Sequence, residues 1–124
     1  MYDVRVTALT LGVDPKWVDN LLSHHRLVGC SAAGRGVERK VSEHALLAIA
    51  VVLRLNRELG MPLGQAVELV NSASDGSTLA EPLVTRGGIR IEFGLSGLES
   101  ELRQRIVDAL EAAPRIRRGR PRSA

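Results

Sequence analysis

The stretch "VTALTLGVDPKWVDNLLSH", residues 6–24, sets two helix signals on either side of one sharp stop. "VTALTLG" reads as a short helix ended by Gly12, a residue suited to a left-handed turn. Asp14 follows in the position of an N-cap, with Pro15 at the first helical position, where its missing N–H costs nothing. Val13 before the cap and Val18 four residues after it form a hydrophobic staple. The second helix, about residues 15–25, buries Val18, Leu21 and Leu22 and leaves Lys16, Asp19, Asn20 and Ser23 along its other side. Two short helices joined by a tight "LGVD" turn are helix-turn-helix geometry. Ala8, four residues before Gly12, is small enough to let the second helix cross closely.

Working outward, "GCSAAGRGV" (29–37) is a loop rich in glycine and small residues, and "VERKV" (37–41) reads as a short strand. Together they make a wing beside the second helix. Ser42 is a second N-cap, with its own staple pair in Val41 and Leu46. The helix from Glu43 to Leu59 is apolar nearly all round in its first half, which marks it as the central core element. Gly60 closes it. Pro62 opens a further helix whose Leu63, Ala66, Val67 and Val70 share one face. "NSASDGS" (71–77) is a turn or linker. "PLVTRGGIRIEF" (82–93) reads as a β-hairpin around Arg86-Gly87-Gly88, with Ile89, Ile91 and Phe93 alternating. Ser96 and Glu99 have the spacing of a capping box, and Leu98, Leu102, Ile106 and Leu110 form a helical stripe to about Ala113. Pro114 is expected to end that helix. The fold class is therefore mainly α with small β elements (α+β). It is organised as residues 1–72, residues 78–113 and an arginine-rich tail, 114–124.

At 124 residues the chain is about one domain long, with 44% hydrophobic and 25% charged residues, ordinary for a globular protein. Tyr2, Trp17 and Phe93 are its three aromatics, so the core is aliphatic. The lone Cys30 excludes an intramolecular disulfide and suits a reducing cytoplasm. Residues 1–12 lack the pattern of a signal peptide. The longest apolar stretch, Ala45 to Leu53, has nine residues where a bilayer span needs about 20. The expected location is cytoplasmic and nucleoid-associated. Charge is uneven along the chain. Residues 1–113 hold all 14 acids against 12 bases, whereas the last eleven carry +5. Positive charge gathers at the two ends, which points to a polyanion partner.

Residues 8–70 resemble the winged helix-turn-helix domain of the MerR family and its excisionase relatives. Three separated segments carry the resemblance, in order: Ala8 through "LGVD", the wing ending in "ERKVSEHAL", and "LNRELGMPLGQAVELV". In that family the last two read approximately as arginine–x–tyrosine–serine/acid–leucine and "ReLGfsLeeI". The resemblance implies double-stranded DNA as partner, with the second helix in the major groove and Lys16, Asn20, Ser23 and His24 placed to reach it. Asn20 could bond an adenine edge bidentately, and Lys16 a guanine or a phosphate. Arg39 matches the family's wing arginine and implies a phosphate contact, with Lys40 beside it; Arg35 at the wing tip implies the adjacent minor groove. Trp17 either packs against the first helix or touches DNA sugars.

The departures are specific. Val41 stands where the family usually has tyrosine, and the family's long antiparallel dimerisation helix and cysteine-bearing effector region are missing after Val70. Metal or drug sensing is thus not implied. The hairpin and helix of 82–113 replace that region, either as a homodimer interface or as intramolecular core.

The tail, "RIRRGRPRSA" (115–124), contains Arg118-Gly119-Arg120-Pro121, identical to the core of the AT-hook, flanked by Arg117 and Arg122. Glycine lets an extended backbone lie on the groove floor while the arginines point into a narrow A·T minor groove. The alternative is a disordered basic tail that raises affinity by counterion release.

His24, His25, Cys30 and His44 lack zinc-ligand spacing, so no metal site and no cofactor is expected. No base and orienter accompany Cys30 or the serines, so an enzyme is not expected either. The leading expectation is a bacterial-type transcriptional regulator. Two readings compete with it: an excisionase-like or nucleoid architectural protein that bends DNA, and an antitoxin or adaptor whose 82–113 segment binds a protein.

Overall fold

A computed structural model describes residues 2–27, 40–75 and 78–118. Among them are five helices and two small antiparallel strand pairs, an α+β arrangement dominated by helix. In chain order the elements are β1 (Tyr2–Asp3), α1 (Val4–Leu11), α2 (Pro15–His24), β2 (Lys40–Val41), α3 (Glu43–Leu59), α4 (Leu63–Ser72), β3 (Leu83–Val84), β4 (Arg90–Ile91) and α5 (Leu95–Arg118). The loop expected at 29–37 and most of the wing strand lie outside the described residues.

The helix boundaries follow from capping chemistry. Asp3 accepts a hydrogen bond from the Val6 N–H at 2.9 Å and so starts α1 two residues earlier than the apolar pattern indicates. Gly12 closes α1 at φ 70°, ψ 34°, a left-handed conformation that costs a residue with a Cβ about 1–2 kcal/mol. Ser42 accepts from the Ala45 N–H at 3.0 Å and opens α3, and Gly60 ends it. Beyond that cap, the Asn56 side-chain amide donates to the Met61 carbonyl at 2.9 Å and turns the chain into α4.

The core is built around α3. Its residues Ala45 to Leu53 are all buried, consecutive around the whole circumference, as its all-round apolar sequence requires. Ala66, Val67, Leu69 and Val70 of α4 pack against it, joined by Leu79 and Leu83. The hairpin forms at the expected place, with Leu83 opposite Ile91 and Val84 opposite Arg90. The other strand pair was not legible in the sequence: β1 runs antiparallel to β2, with Tyr2 opposite Val41 and Asp3 opposite Lys40. It staples the N-terminus to the chain entering α3.

Helix α5 differs from its expected form in three ways. Its first residue is Leu95, with the Leu98 N–H bonded to the Gly94 carbonyl at 2.9 Å, so Ser96 lies inside the helix and does not cap it. Its buried stripe is Leu102, Ile106 and Ala109, while Leu110 is 43% exposed. The step from 106 to 109 keeps the stripe facing α1, and Ala109 allows a close approach that a leucine would prevent. Finally, Pro114 does not end α5, whose backbone stays helical to Arg118. Proline's φ near −65° is itself helical, although the ring removes one hydrogen bond and crowds the carbonyl four residues back.

The most extensive helix–helix contact is between α1 and α5. The two run antiparallel. Ala109 packs with Val6 and Tyr2 at the start of α1, whereas Leu98, Leu102 and Arg105 share a cleft of about 310 Å³ with Leu11 at its end. Residues 78–113 are thus packed on the N-terminal helices and on α3, at least along the face that Leu102, Ile106 and Ala109 present.

The burial pattern sets a stability contrast within α3. Ile49→Ala, at a position of zero exposure, should cost about 2–5 kcal/mol in denaturant unfolding. Leu59→Ala, at 59% exposure on the same helix, should cost less than about 1 kcal/mol.

Candidate nucleic-acid interface

Helix α2 is set down on the core by one face. Val18 is fully buried and Leu21 nearly so, and Trp17 and Leu22 pack half-buried against the same cluster. Trp17 therefore packs against the core along part of its ring and stays half-exposed. The cap at Asp14 holds the helix start, its carboxylate accepting from the Lys16 N–H at 2.8 Å with Pro15 inside the first turn. The far end is anchored from α4, where the Asn71 amide donates to the Arg26 carbonyl at 2.8 Å and Gly64 lies against the His25 ring.

The opposite face is open. Lys16, Asp19, Asn20, Ser23 and His24 are all exposed. Lys16, Asn20 and His24 follow one another at four-residue steps and so lie in one line, about 12 Å long. A B-DNA major groove is wide enough to admit a single helix carrying such a line on its outer face. Two of these side chains are held by their own helix. The Ser23 hydroxyl donates to the Asp19 carbonyl at 2.8 Å, which leaves it only acceptor capacity toward a ligand. His24 Nδ1 lies 2.8 Å from the Asn20 carbonyl. A carbonyl can only accept, so Nδ1 carries the proton and Nε2 faces outward.

The face is not strongly basic, because Asp14 and Asp19 offset Lys16. Charge that could meet a polyanion lies elsewhere. Lys40 is exposed on β2. Arg5, on α1, and Arg26, directly after α2, are exposed bases that sequence reasoning passed over. Their position next to helix ends was the available signal. Arg35 and Arg39 lie outside the described residues, as do Gly119, Arg120 and Arg122. Arg117 and Arg118 belong to the last turn of α5, so the first arginine of the AT-hook-like motif ends a helix and does not begin an extended strand. The structure therefore gathers Lys16, Asn20, Ser23 and His24 on one face and puts Lys40 and Arg117–Arg118 on other elements.

The three histidines go to separate places: His24 on the open face, His25 against Gly64, and His44 in α3 with Nε2 2.6 Å from Ser74 Oγ. Among the described residues no three His, Cys, Asp or Glu side chains converge, and no helix is long and apolar enough to cross a membrane. Compared with protein-family models, curated proteins and solved structures, the chain matches none.

Because the open face carries none of the core, Lys16→Ala and Asn20→Ala should each leave unfolding free energy within about 0.5 kcal/mol of the parent chain. Asp14→Ala, which removes the cap, should cost about 1 kcal/mol by the same measurement.

Proposed function

We propose that this chain is a double-stranded DNA-binding protein, a transcriptional regulator that reads the major groove with α2. The observation that supports this reading is the division of α2 into two faces. One is fixed to an aliphatic scaffold through Val18 and Leu21; the other presents Lys16, Asn20, Ser23 and His24 to solvent on one face. Asn20 is the residue suited to an adenine edge through its N6 and N7, and Lys16 to guanine or phosphate. Ser23, with its hydrogen committed to the helix, accepts from a base amino group. Arg39 and Lys40 supply phosphate contacts, and Arg35 reaches the adjacent minor groove. The final residues, from Arg117 through Arg122, add positive charge that raises affinity for the duplex through counterion release.

One module of this size has limited specificity, and a homodimer doubles the site. Val107 and Leu110 support that assembly. They are 51% and 43% exposed, three residues apart on the outer side of α5, and unused by the core. The function in this reading is recognition and not catalysis, and the DNA partner needs no cofactor or metal.

Selection of binding sites from randomised duplexes tests the reading directly: enrichment of a motif supports it, and no enrichment at low salt overturns it. Two variants then locate the contacts. Asn20→Ala should relax discrimination at one base pair by about 1–3 kcal/mol, and unaltered discrimination would put α2 outside the groove. Removal of residues 114–124 takes away five positive charges and should lower the salt slope of binding by roughly 4 units. An unchanged slope would mean that those residues stay off the DNA.

A further inference from the structure

The cleft of about 310 Å³ at the end of α1 joins three helices and two kinds of chemistry. Its floor is aliphatic: Leu11, the last residue of α1, with Ala50 and Leu53 of α3 and Leu98 and Leu102 of α5. Its rim is charged, with Arg54, Arg57 and Glu58 on the α3 side and Glu101 and Arg105 on the α5 side. Small-molecule sites combine an apolar body with a few polar groups in the same way, and the volume lies at the lower end of their range.

The rim charges are unevenly matched. Glu101 is taken by Arg105 of its own helix at 2.8 Å. Arg54 is left with two long contacts, 3.5 Å to Glu58 and 3.6 Å to Glu101, where a committed guanidinium–carboxylate bond is about 2.7–2.9 Å. Arg57 makes no ion pair among the described residues. Arg54 and Arg57 are three residues apart on one helix and so are neighbours on its surface. Each guanidinium offers a fork of N–H donors that matches a carboxylate. An incoming anion displaces only the long contacts of Arg54. Glu101 keeps Arg105, so binding strands no charge. The larger cleft between the first half of α3 and α5 has the opposite balance, with Glu43 and Glu99 against Arg103.

We infer that the cleft between α1, α3 and α5 binds a small amphipathic carboxylate, its acid group held by Arg54 and Arg57 and its apolar chain laid on the aliphatic floor. This goes beyond the DNA-binding reading and does not depend on it. The chain supplies affinity by leaving water, and the arginines set its direction. Because Leu11 belongs to the floor, the ligand borders the Gly12 turn that leads into α2.

Octanoate is the probe, titrated into the full chain while methyl and amide resonances are followed by NMR. Saturating shifts are expected at Leu11, Ala50, Leu53, Leu98 and Leu102, with a Kd of roughly 1 mM or tighter for a ligand of about ten non-hydrogen atoms. Octylammonium has the same chain and the opposite charge, and should bind there about tenfold more weakly or worse. Arg57→Gln changes an exposed residue, so it should leave thermal unfolding unaltered while weakening octanoate about tenfold. Arg103→Gln, on the rim of the acidic cleft, should leave octanoate affinity as it is. The inference is overturned by the absence of shifts at the five floor residues up to roughly 10 mM octanoate. Equal binding of octylammonium, or parent-like affinity of Arg57→Gln, overturns it as well. Shifts centred on Glu43 and Leu79 would put the chain in the acidic cleft and have the same consequence.

Discussion

Helix α1 has eight residues and must satisfy neighbours on several sides at once. It packs against α2 and, even more extensively, against α5, and it touches both strands of the β1–β2 ladder. Five of its residues are buried, and two of them are threonines. Small, β-branched side chains allow close approach, but a buried hydroxyl without a partner would cost about 1–3 kcal/mol. Here each hydroxyl is returned to the helix's own backbone or cap, Thr7 Oγ1 donating to the Asp3 carbonyl at 2.9 Å and Thr10 Oγ1 to the Val6 carbonyl at 2.8 Å. Ala8, 1% exposed, completes the narrow surface. The seating of α2 and the course of α5 both derive from this one short rod.

Packing, and not charge pairing, holds α5 in that course. The ion pair between α5 and α3 is Arg54–Glu101 at 3.6 Å; Arg54 also meets Glu58 within α3, and Glu101 meets Arg105 within α5 at 2.8 Å. All of these side chains are at least 42% exposed, where such pairs contribute little. Between the first half of α3 and α5 there is instead a cleft of about 400 Å³, floored by Leu46, Leu102 and Ile106. The attachment of α5 is therefore one-sided: firm along α1, looser along α3.

Much of the fold was legible because helix ends are written in local chemistry. Gly12, Asp14, Ser42 and Gly60 each act within four residues of themselves, and the structure uses all four as caps. The hairpin was legible for the same reason. What sequence could not give was anything settled by a distant partner. β1 is two residues long, too short for any periodicity, and exists because Lys40 and Val41 come to it. The buried stripe of α5 turns from Ile106 to Ala109 and leaves Leu110 outside because α1 needs a small residue there. The helix passes Pro114, which local rules read as a stop. At the candidate interface, the outward set on α2 was legible from its spacing, whereas the internal bonds of Ser23 and His24 and the exposed Arg5 and Arg26 were not.

A core filled by leucine, isoleucine, valine and alanine leaves the ring systems at its edge. Tyr2 sits at the ladder, Phe93 beyond the hairpin, and Trp17 on α2, each half-buried. Trp17 is the chain's single indole, and it lies one residue from Lys16 and three from Asn20. The molecule thus carries its own optical probe, seated on the helix that would meet a duplex. Its emission reports how that helix sits on its scaffold, free of signal from the interior.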